Sequence, residues 1–437
     1  MNTVSIPNEL HIITDVFEST FDQLPGGRIV KSSRREAFDK FMKLGFPLKS
    51  NEEYKYSSTE KLFKDDFNWT TFEKNNQPID YASYRKNNLE ASHIFLVNGQ
   101  LIKQESDLNI NEDGFIICDI ITAAKEHSAL FEKFYGAQIK EFNDAFAQLN
   151  TAIAANGLFI YIEPNRSIQK PIQINNICNS LTNQVFHTHH IIVAEKFSNV
   201  SIVETFCSAI KSEAYLLNTV SEVVVGENAF VNYYKLQSEN EMAVQINSTQ
   251  VDQQKNSHFD TNTVTLGGKW IRNNLNIVLN GTQCVSHLNG LQILNKQQHV
   301  DNHTLVDHQM PHCESNQLYK GILNDKSTGV FNGKIFVRKD AQKTNAYQSS
   351  KNMLLSDDAT MNTKPQLEIY ADDVKCSHGS STGQIDENAV FYLRARGLSP
   401  DSAKSLLMNA FAIDVIQTIK IESYKSYLSS LIEKCFE

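Results

Sequence analysis

The spacing of apolar positions divides the chain into three parts. Over residues 1–155 the pattern is mixed and mostly helical. In REAFDKFMKLGFP, Phe38, Phe41, Met42 and Leu44 recur at helical spacing and stop at Gly45-Phe46-Pro47, where proline prevents the helix from continuing. The polar connector KSNEEYKYSS follows. HIFLVNGQLI reads as a short hairpin turning on Asn98-Gly99, because a two-residue turn needs positive φ at both central positions. A second helix is predicted to carry Ile139, Phe142, Ala145, Phe146 and Leu149 on one face and to end before Asn156-Gly157.

From 156 to 395 the helical period gives way to short runs rich in Val, Ile, Thr, Phe and Tyr. FIYIEP, HHIIVAE, SEVVVG, FVNYYKL and LNIVLNG, separated by polar turns, predict many strands. Asn332, Asn345, Asn362 and Ser377 repeat loosely, 13, 17 and 15 residues apart. A period below about 20 that delivers one or two strands per turn suits the coils of a β-helix better than the spacing of a sandwich. A sandwich with long loops stays as the alternative. Only Pro311 and Pro365 interrupt residues 172–399, as expected where backbone N–H groups are committed to ladders.

Residues 396–437 close the chain with helices. Ser399 is a cap, Pro400 takes the first helical position, and Ala403, Leu406, Leu407, Ala410 and Phe411 form the expected apolar face. Tyr424, Tyr427, Leu428 and Leu431 form a second stripe. Such stripes either pack on the β-region or dock another protein.

Charge and cysteine usage narrow the function classes. The 437 residues carry 41 Lys and Arg against 50 Asp and Glu, a formal charge of −9, with no basic block. Nucleic acid and anionic membrane are therefore poor partners. No 18-residue apolar stretch predicts a membrane span. MNTVSIPNELHIITDVFE lacks a basic segment leading into an apolar core, so no secretory leader is expected. Seven cysteines, at 118, 178, 207, 284, 313, 376 and 435, form no CxxC pair. They read as reduced thiols of a cytoplasmic protein.

Three constellations are candidates for chemistry. His287, His299, His303, His308 and His312 crowd one stretch with Cys313. Residues four apart on a strand stand about 13 Å apart, so hydrogen-bonded turn and interface histidines are favoured over a shared metal. Gly267-Gly268-Lys269 echoes a phosphate loop, but Thr263 stands where its first glycine belongs and Trp270 replaces the hydroxyl that binds magnesium. No ATP site is expected on this chain. In EIYADDVKCSHGSSTGQID, Cys376 and His378 share one strand face about 7 Å apart. Thiolate and imidazole suit a soft metal such as iron, although a cluster takes about four ligands. A Cys-His nucleophile pair and a structural cysteine beside a surface histidine are the other readings.

The stretch from Asp301 to Phe411 resembles the C-terminal region of the SufB/SufD family of iron–sulfur cluster assembly proteins. The resemblance is carried by DNHTLVDHQMPHCESNQLYKGILNDKSTGVFNGKIFVRKDAQKTNAYQSSKNMLLSDDA, TKPQLEIYADDVKCSHGSSTGQID and FYLRARGLSPDSAKSLLMNAF, about a quarter of the chain. LGGKWIRNNLNIVLNGTQCVSHLNG and GFPLKSNEEYKY are also similar to the family. Cys376-Ser377-His378 resembles the SufD branch, SufB typically having Cys-Glu-His there.

The resemblance implies a right-handed parallel β-helix flanked by N- and C-terminal helical regions. It implies a non-enzymatic scaffold that assembles with SufB and the ATPase SufC, whose seat would include Leu406, Leu407, Ala410 and Phe411. It also implies that His378 joins SufB in holding a nascent, transient iron–sulfur cluster, with Cys376 the less certain ligand. FAD carried through the complex, and a homodimer of the isolated subunit, are further expectations. The alternatives are a SufB-like scaffold with Cys376 as principal sulfur and cluster acceptor, and a β-helix carbohydrate-active enzyme, which lacks a readable carboxylate pair here. A homodimeric structural protein is the blandest reading.

Overall fold

The computed structural model describes residues 8–59, 67–69, 78–85, 89–108, 114–180 and 183–436. Residues 1–7, the start of the stretch read above for a secretory leader, lie outside them.

The N-terminal part contains α1 (Asn8–Thr20), α2 (Arg28–Leu44), α3 (Tyr81–Arg85), β1 (Ser92–Val97), β2 (Gln100–Leu101), β3 (Phe115–Asp119), α4 (Ile120–Glu126), α5 (Ser128–Phe134) and α6 (Ala145–Ile153). Helix α2 ends at Gly45, whose φ of 63° lets its N–H bond back to the Phe41 carbonyl. Its buried stripe is Val30, Arg34, Ala37, Phe38 and Phe41, while Met42 and Leu44 point to solvent. The expected apolar face is thus shifted by about a turn, toward the stack of Phe38 on Phe17 at 3.9 Å. Helix α6 is shorter than its apolar pattern predicts. Asp144 caps it by accepting from Ala147 N at 2.8 Å, so Ile139 and Phe142 lie in the preceding turn. The hairpin is as expected: β1 pairs with β2 across Asn98 and Gly99, at φ 51° and 81°.

Sixteen further strands follow: β4 (Leu158–Ile162), β5 (Ile172–Cys178), β6 (Gln184–Ala194), β7 (Asn199–Ser208), β8 (Tyr215–Val225), β9 (Phe230–Gln237), β10 (Val244–Gln253) and β11 (His258–Thr265), then β12 (Trp270–Leu279), β13 (Val285–Leu294), β14 (His299–His308), β15 (Glu314–Leu323), β16 (Thr328–Val337), β17 (Asn345–Leu354), β18 (Thr360–Ile369) and β19 (Lys375–Gln384). Even and odd strands alternate between two sheets, β18-β16-…-β4-β3 and β19-β17-…-β5-β1-β2. From β4 onward every named pairing is parallel, so the region is a flattened β-solenoid of two strands per coil.

The repeat read from the sequence is therefore half a coil. Asn332, Asn345, Asn362 and Ser377 fall on β16, β17, β18 and β19, in alternating sheets. A full coil runs from the 26 residues between Val244 and Trp270 to the 32 between Thr328 and Thr360. Pro365 sits on β18, an edge strand, where a missing N–H interrupts no further ladder.

One core lies between the sheets, with Ile192, Val223, Val251, Ile277 and Val306 from one and Ile202, Val231, Phe259 and Leu288 from the other. The N-terminal helices cover the outer face of the even-strand sheet, where Phe41, Phe146 and Leu149 meet Val185, Leu216, Val244 and Trp270. The C-terminal helices, α7 (Glu387–Ala395), α8 (Pro400–Ile416) and α9 (Glu422–Cys435), reach the outer face of the odd-strand sheet. There Met408, Ala412, Val415, Tyr424 and Leu428 meet Tyr234, Val264, Leu291 and Ile322.

Gly157, where α6 gives way to β4, has φ 143°, and a Cβ there would lie 1.8 Å from the His189 carbonyl oxygen. Gly157→Ala combines left-handed strain with a backbone clash, costing about 2–5 kcal/mol. A urea titration should show a lowered midpoint with little change in slope.

Candidate functional site

The last coil of the solenoid has no successor. β18 and β19 each end their sheet, so two ten-residue strands present one unpaired edge apiece. In-register pairing sets Cys376 beside Ala346 and His378 beside Gln348. Parallel strands in register keep each side chain on the face of the one it stacks on. Ala346 and Gln348 are buried between the sheets, so Cys376 and His378 extend two inward-facing rows into the uncovered coil.

The two residues differ in environment. Cys376 is half-buried against Ala346, Ala371 and Leu367, and burial pushes its thiol pKa up. His378 is exposed. Its row is continued along the sheet by Gln348 and Gln317; Gln348 Nε2 donates to Gln317 Oε1 at 3.3 Å, and Thr304 of the opposite sheet donates to the same oxygen at 2.7 Å. Across the final coil, Ser380 Oγ bonds Thr363 Oγ1 at 2.9 Å. The thiol is thus partly covered and holds its proton more tightly than a free cysteine, whereas the imidazole is open to solvent.

The histidine group is dispersed. His299 bonds Ser57 Oγ at 2.8 Å and stacks on Trp270. His303 lies between Asp301 and Glu53, at 3.0 and 3.3 Å. His308 is buried against Ser315, with its pKa pushed down to about 4 by desolvation. His312 occupies a turn with φ 63°. His287 bonds Asp260 at 2.7 Å. Among the described residues, no three His, Cys, Asp or Glu side chains converge to hold a metal. Gly267 and Gly268 join β11 to β12 rather than a strand to a helix, so this glycine pair builds no dinucleotide cradle for a flavin.

On α8, Ser399 Oγ accepts from Ser402 N at 3.1 Å, as a cap should. The helix carries apolar residues on more than one side, however, and the face drawn from sequence is not the one buried most deeply. Met408, Ala412, Val415 and Ile416 are buried on the solenoid side, and Ala403 and Leu407 pack toward α7. Phe411 is half-buried. Leu406 and Ala410 are exposed, and with Ile413, Ile416 and Ile432 they line an apolar groove of about 230 Å³ between α8 and α9.

A larger groove, of about 720 Å³, lies on the outer face of the odd-strand sheet. It ends on β19 at Ser377, His378 and Gly379, and its other end holds Asp260, His287 and Lys420. Asp260 and Lys420 escaped the sequence reading. They are 160 residues apart, and only the coil register and the return of the C-terminal helices bring them to His287.

Comparison with known proteins agrees with this architecture. The family described as "SUF system FeS cluster assembly, SufBD core domain" matches residues 176–411, and "SufBD protein N-terminal region" matches residues 16–174. The chain is 30% identical over 416 residues to an iron–sulfur cluster assembly SufBD family protein of Synechocystis, covering 92% of this chain and 90% of that protein. It is 27% identical to the iron–sulfur cluster assembly protein SufD of Escherichia coli, covering 91% of each. With the Bacillus subtilis protein of the same name, identity is 29% over 74% of this chain and 75% of that one.

The raised Cys376 pKa has a direct readout. Iodoacetamide should label Cys376 at pH 7.5 several-fold more slowly than it labels glutathione, and the rate should climb as pH rises toward 10. Peptide mass spectrometry over a time course measures it.

Proposed function

The chain belongs to the SufBD family of SUF-system iron–sulfur cluster assembly proteins, and from that premise we propose that it is a non-catalytic scaffold subunit. In this reading it meets SufB at the open end of its solenoid and contributes His378 to a cluster built across the contact. The observation that carries the reading is the uncapped final coil with His378 exposed on it. Two long, unpaired edge strands are templates for strand addition. A second solenoid edge would satisfy both, and a second copy of this chain would do so when SufB is absent.

Ligand arithmetic supports a shared site. A cluster takes about four ligands, and this edge offers the His378 imidazole with Cys376 in reserve. The remaining ligands would come from SufB, so the cluster is cargo held between subunits. Relatives named SufD in E. coli and B. subtilis and the Cys-Ser-His sequence favour the SufD role over the SufB role. The raised Cys376 pKa also disfavours that thiol as the principal sulfur acceptor.

ATP hydrolysis is assigned to SufC, with the apolar groove of Leu406 and Ala410, flanked by Leu407 and Phe411, as its seat. A pull on α8 would reach the solenoid through polar contacts of the helix and of the turn that follows it. Lys320 Nζ pairs with Asp414 at 2.5 Å, Asn262 Nδ2 donates to the Val415 carbonyl at 2.7 Å, and Lys420 pairs with Asp260. Any FAD would belong to the complex. Among the described residues no helix is long and apolar enough to cross a membrane, and the cytoplasm is the proposed location.

The test is anaerobic co-expression of the tagged chain with SufB and SufC from its host. The expected product has one SufB and two SufC. His378→Ala should leave this assembly intact while bound iron falls by half or more, and Cys376→Ser should retain most of it. Full iron in His378→Ala would refute the role of His378. Loss confined to Cys376→Ser would transfer the acceptor role to that thiol.

A further inference from the structure

We infer that Asp260 and His287, on the outer face of the solenoid, form a loading site for a divalent transition metal. With the scaffold reading as its premise, that metal is iron awaiting transfer to the His378 edge. Asp260, His287, Asn316, Tyr347 and Ser377 occupy a single register row through β11, β13, β15, β17 and β19. The row faces outward, since its neighbours Phe259 and Leu288 point into the core. It forms part of the floor of the 720 Å³ groove.

The His287 geometry is that of an oriented metal ligand. Its Nδ1 lies 2.7 Å from Asp260 Oδ1, so in the neutral ring Nδ1–H donates to the carboxylate and the Nε2 lone pair is presented outward. A carboxylate behind an imidazole fixes the tautomer and raises the basicity of the ligating nitrogen. The Asp260 carboxylate is buried and doubly engaged, its second oxygen pairing with Lys420, so it serves as the orienting group. His287 is itself 43% exposed, open to the groove. Neighbouring charges favour a cation: Lys420 offsets Asp260, while Glu314 adds a further negative charge acting on His287. Of the further titratable groups near the pair, His258 is stacked on Phe230 at 4.4 Å and Tyr234 Oη accepts from Lys420 N at 3.1 Å.

One rung along, about 4.8 Å away, Asn316 offers a side-chain carbonyl oxygen. Imidazole nitrogen with amide oxygen and water suits Fe²⁺ and its first-row neighbours. Two protein ligands hold a metal loosely, as a transfer position requires, and a closed resident site is not implied. Ser377 lies three rungs from His287, about 14 Å along the same row, and its neighbour on the edge strand is His378.

The test uses the isolated full-length chain and metal alone. Anaerobic equilibrium dialysis with Fe²⁺ measures affinity, and Co²⁺ visible absorption reports on nitrogen ligation. The wild type should bind one ion that His287→Gln weakens at least tenfold. Asp260→Asn, acting through the imidazole, should weaken it about 10- to 100-fold, and His378→Ala should leave it unchanged. Wild-type affinity in His287→Gln, loss of this ion in His378→Ala, or no binding at millimolar Fe²⁺ by the wild type would each overturn the inference. Assembly with SufB is scored separately. A chain that binds Fe²⁺ through His287 but never joins SufB would sink the scaffold reading and leave the metal site standing.

Discussion

Register is the constraint on which the rest depends. Once parallel strands stack in register, every side chain lies on its counterpart from the previous coil, and each row must repeat a compatible chemistry. The corner before the odd strands shows it. Phe197, Asn228, Asn256, Gln283, His312 and Lys343 all adopt positive φ, between 56° and 63°. Each is followed by a small buried residue: Ser198, Ala229, Ser257, Cys284, Cys313 and Thr344. His312 and Cys313 thus adjoin in sequence because one fills the left-handed corner and the other fills the small-residue row beneath it. Their apparent metal-site chemistry is a product of the turn.

The same constraint governs the buried charges. Glu204, fully buried, accepts from Tyr233 Oη at 2.5 Å and Asn176 Nδ2 at 3.1 Å, with Lys235 Nζ at 3.6 Å. Lys235 also donates to Asn247 and Thr249 across the coil. Toward the N-terminal helices, Arg272 pairs with Asp301 at 2.7 Å and stacks on Tyr54 with 3.7 Å to the ring centroid. Asp301 is held well below the usual carboxylate range by His303 and Arg272, despite burial that acts the other way. Removing one member of such a pair strands a charge at a cost of about 3–5 kcal/mol. These pairs therefore discriminate against slipped coils, in which a charge would face an apolar row.

Much of this was legible in the sequence, and the misses have physical causes. Strand runs such as FVNYYKL and LNIVLNG identified themselves because a strand buried on both faces needs near-continuous β-branched and aromatic residues. Asn98-Gly99 identified its turn because few other residues tolerate two positive φ angles. The period was halved because a strand and its polar turn form a local unit, whereas the coil is closed only by the second sheet. The expected face of α8 is split between buried Ala403 and exposed Leu406 and Ala410 because the helix carries apolar residues on more than one side, and only the solenoid decides which of them are buried. Cys376 and His378 were singled out through a motif, and the fold places them on the terminal strand. Asp260 and Lys420 carry no local signal, since their meeting depends on the eight intervening strands β12 to β19 and on the return of α7 and α8. A carbohydrate-active β-helix, weighed as an alternative, loses its standing to the family match over residues 16–174 and 176–411.

Length and ending follow from the same stacking. A solenoid buries each coil against two neighbours, so its terminal coils are half-satisfied unless capped. At the N-terminal end the capping is done in cis, with β3 pairing antiparallel to β4 and β1 turning through a hairpin into β2. At the other end β18 and β19 keep their full ten-residue length, and α7, beginning at Glu387 immediately beyond, leaves Phe391 and Tyr392 exposed. The two ends have been treated oppositely by one chain. A free end of that length is a liability in a lone subunit and the surface that the proposed assembly would cover. The C-terminal helices grip the outer face of the sheet that β19 terminates, so force applied to them acts on the edge strand's own sheet, along rows already held rigid by register.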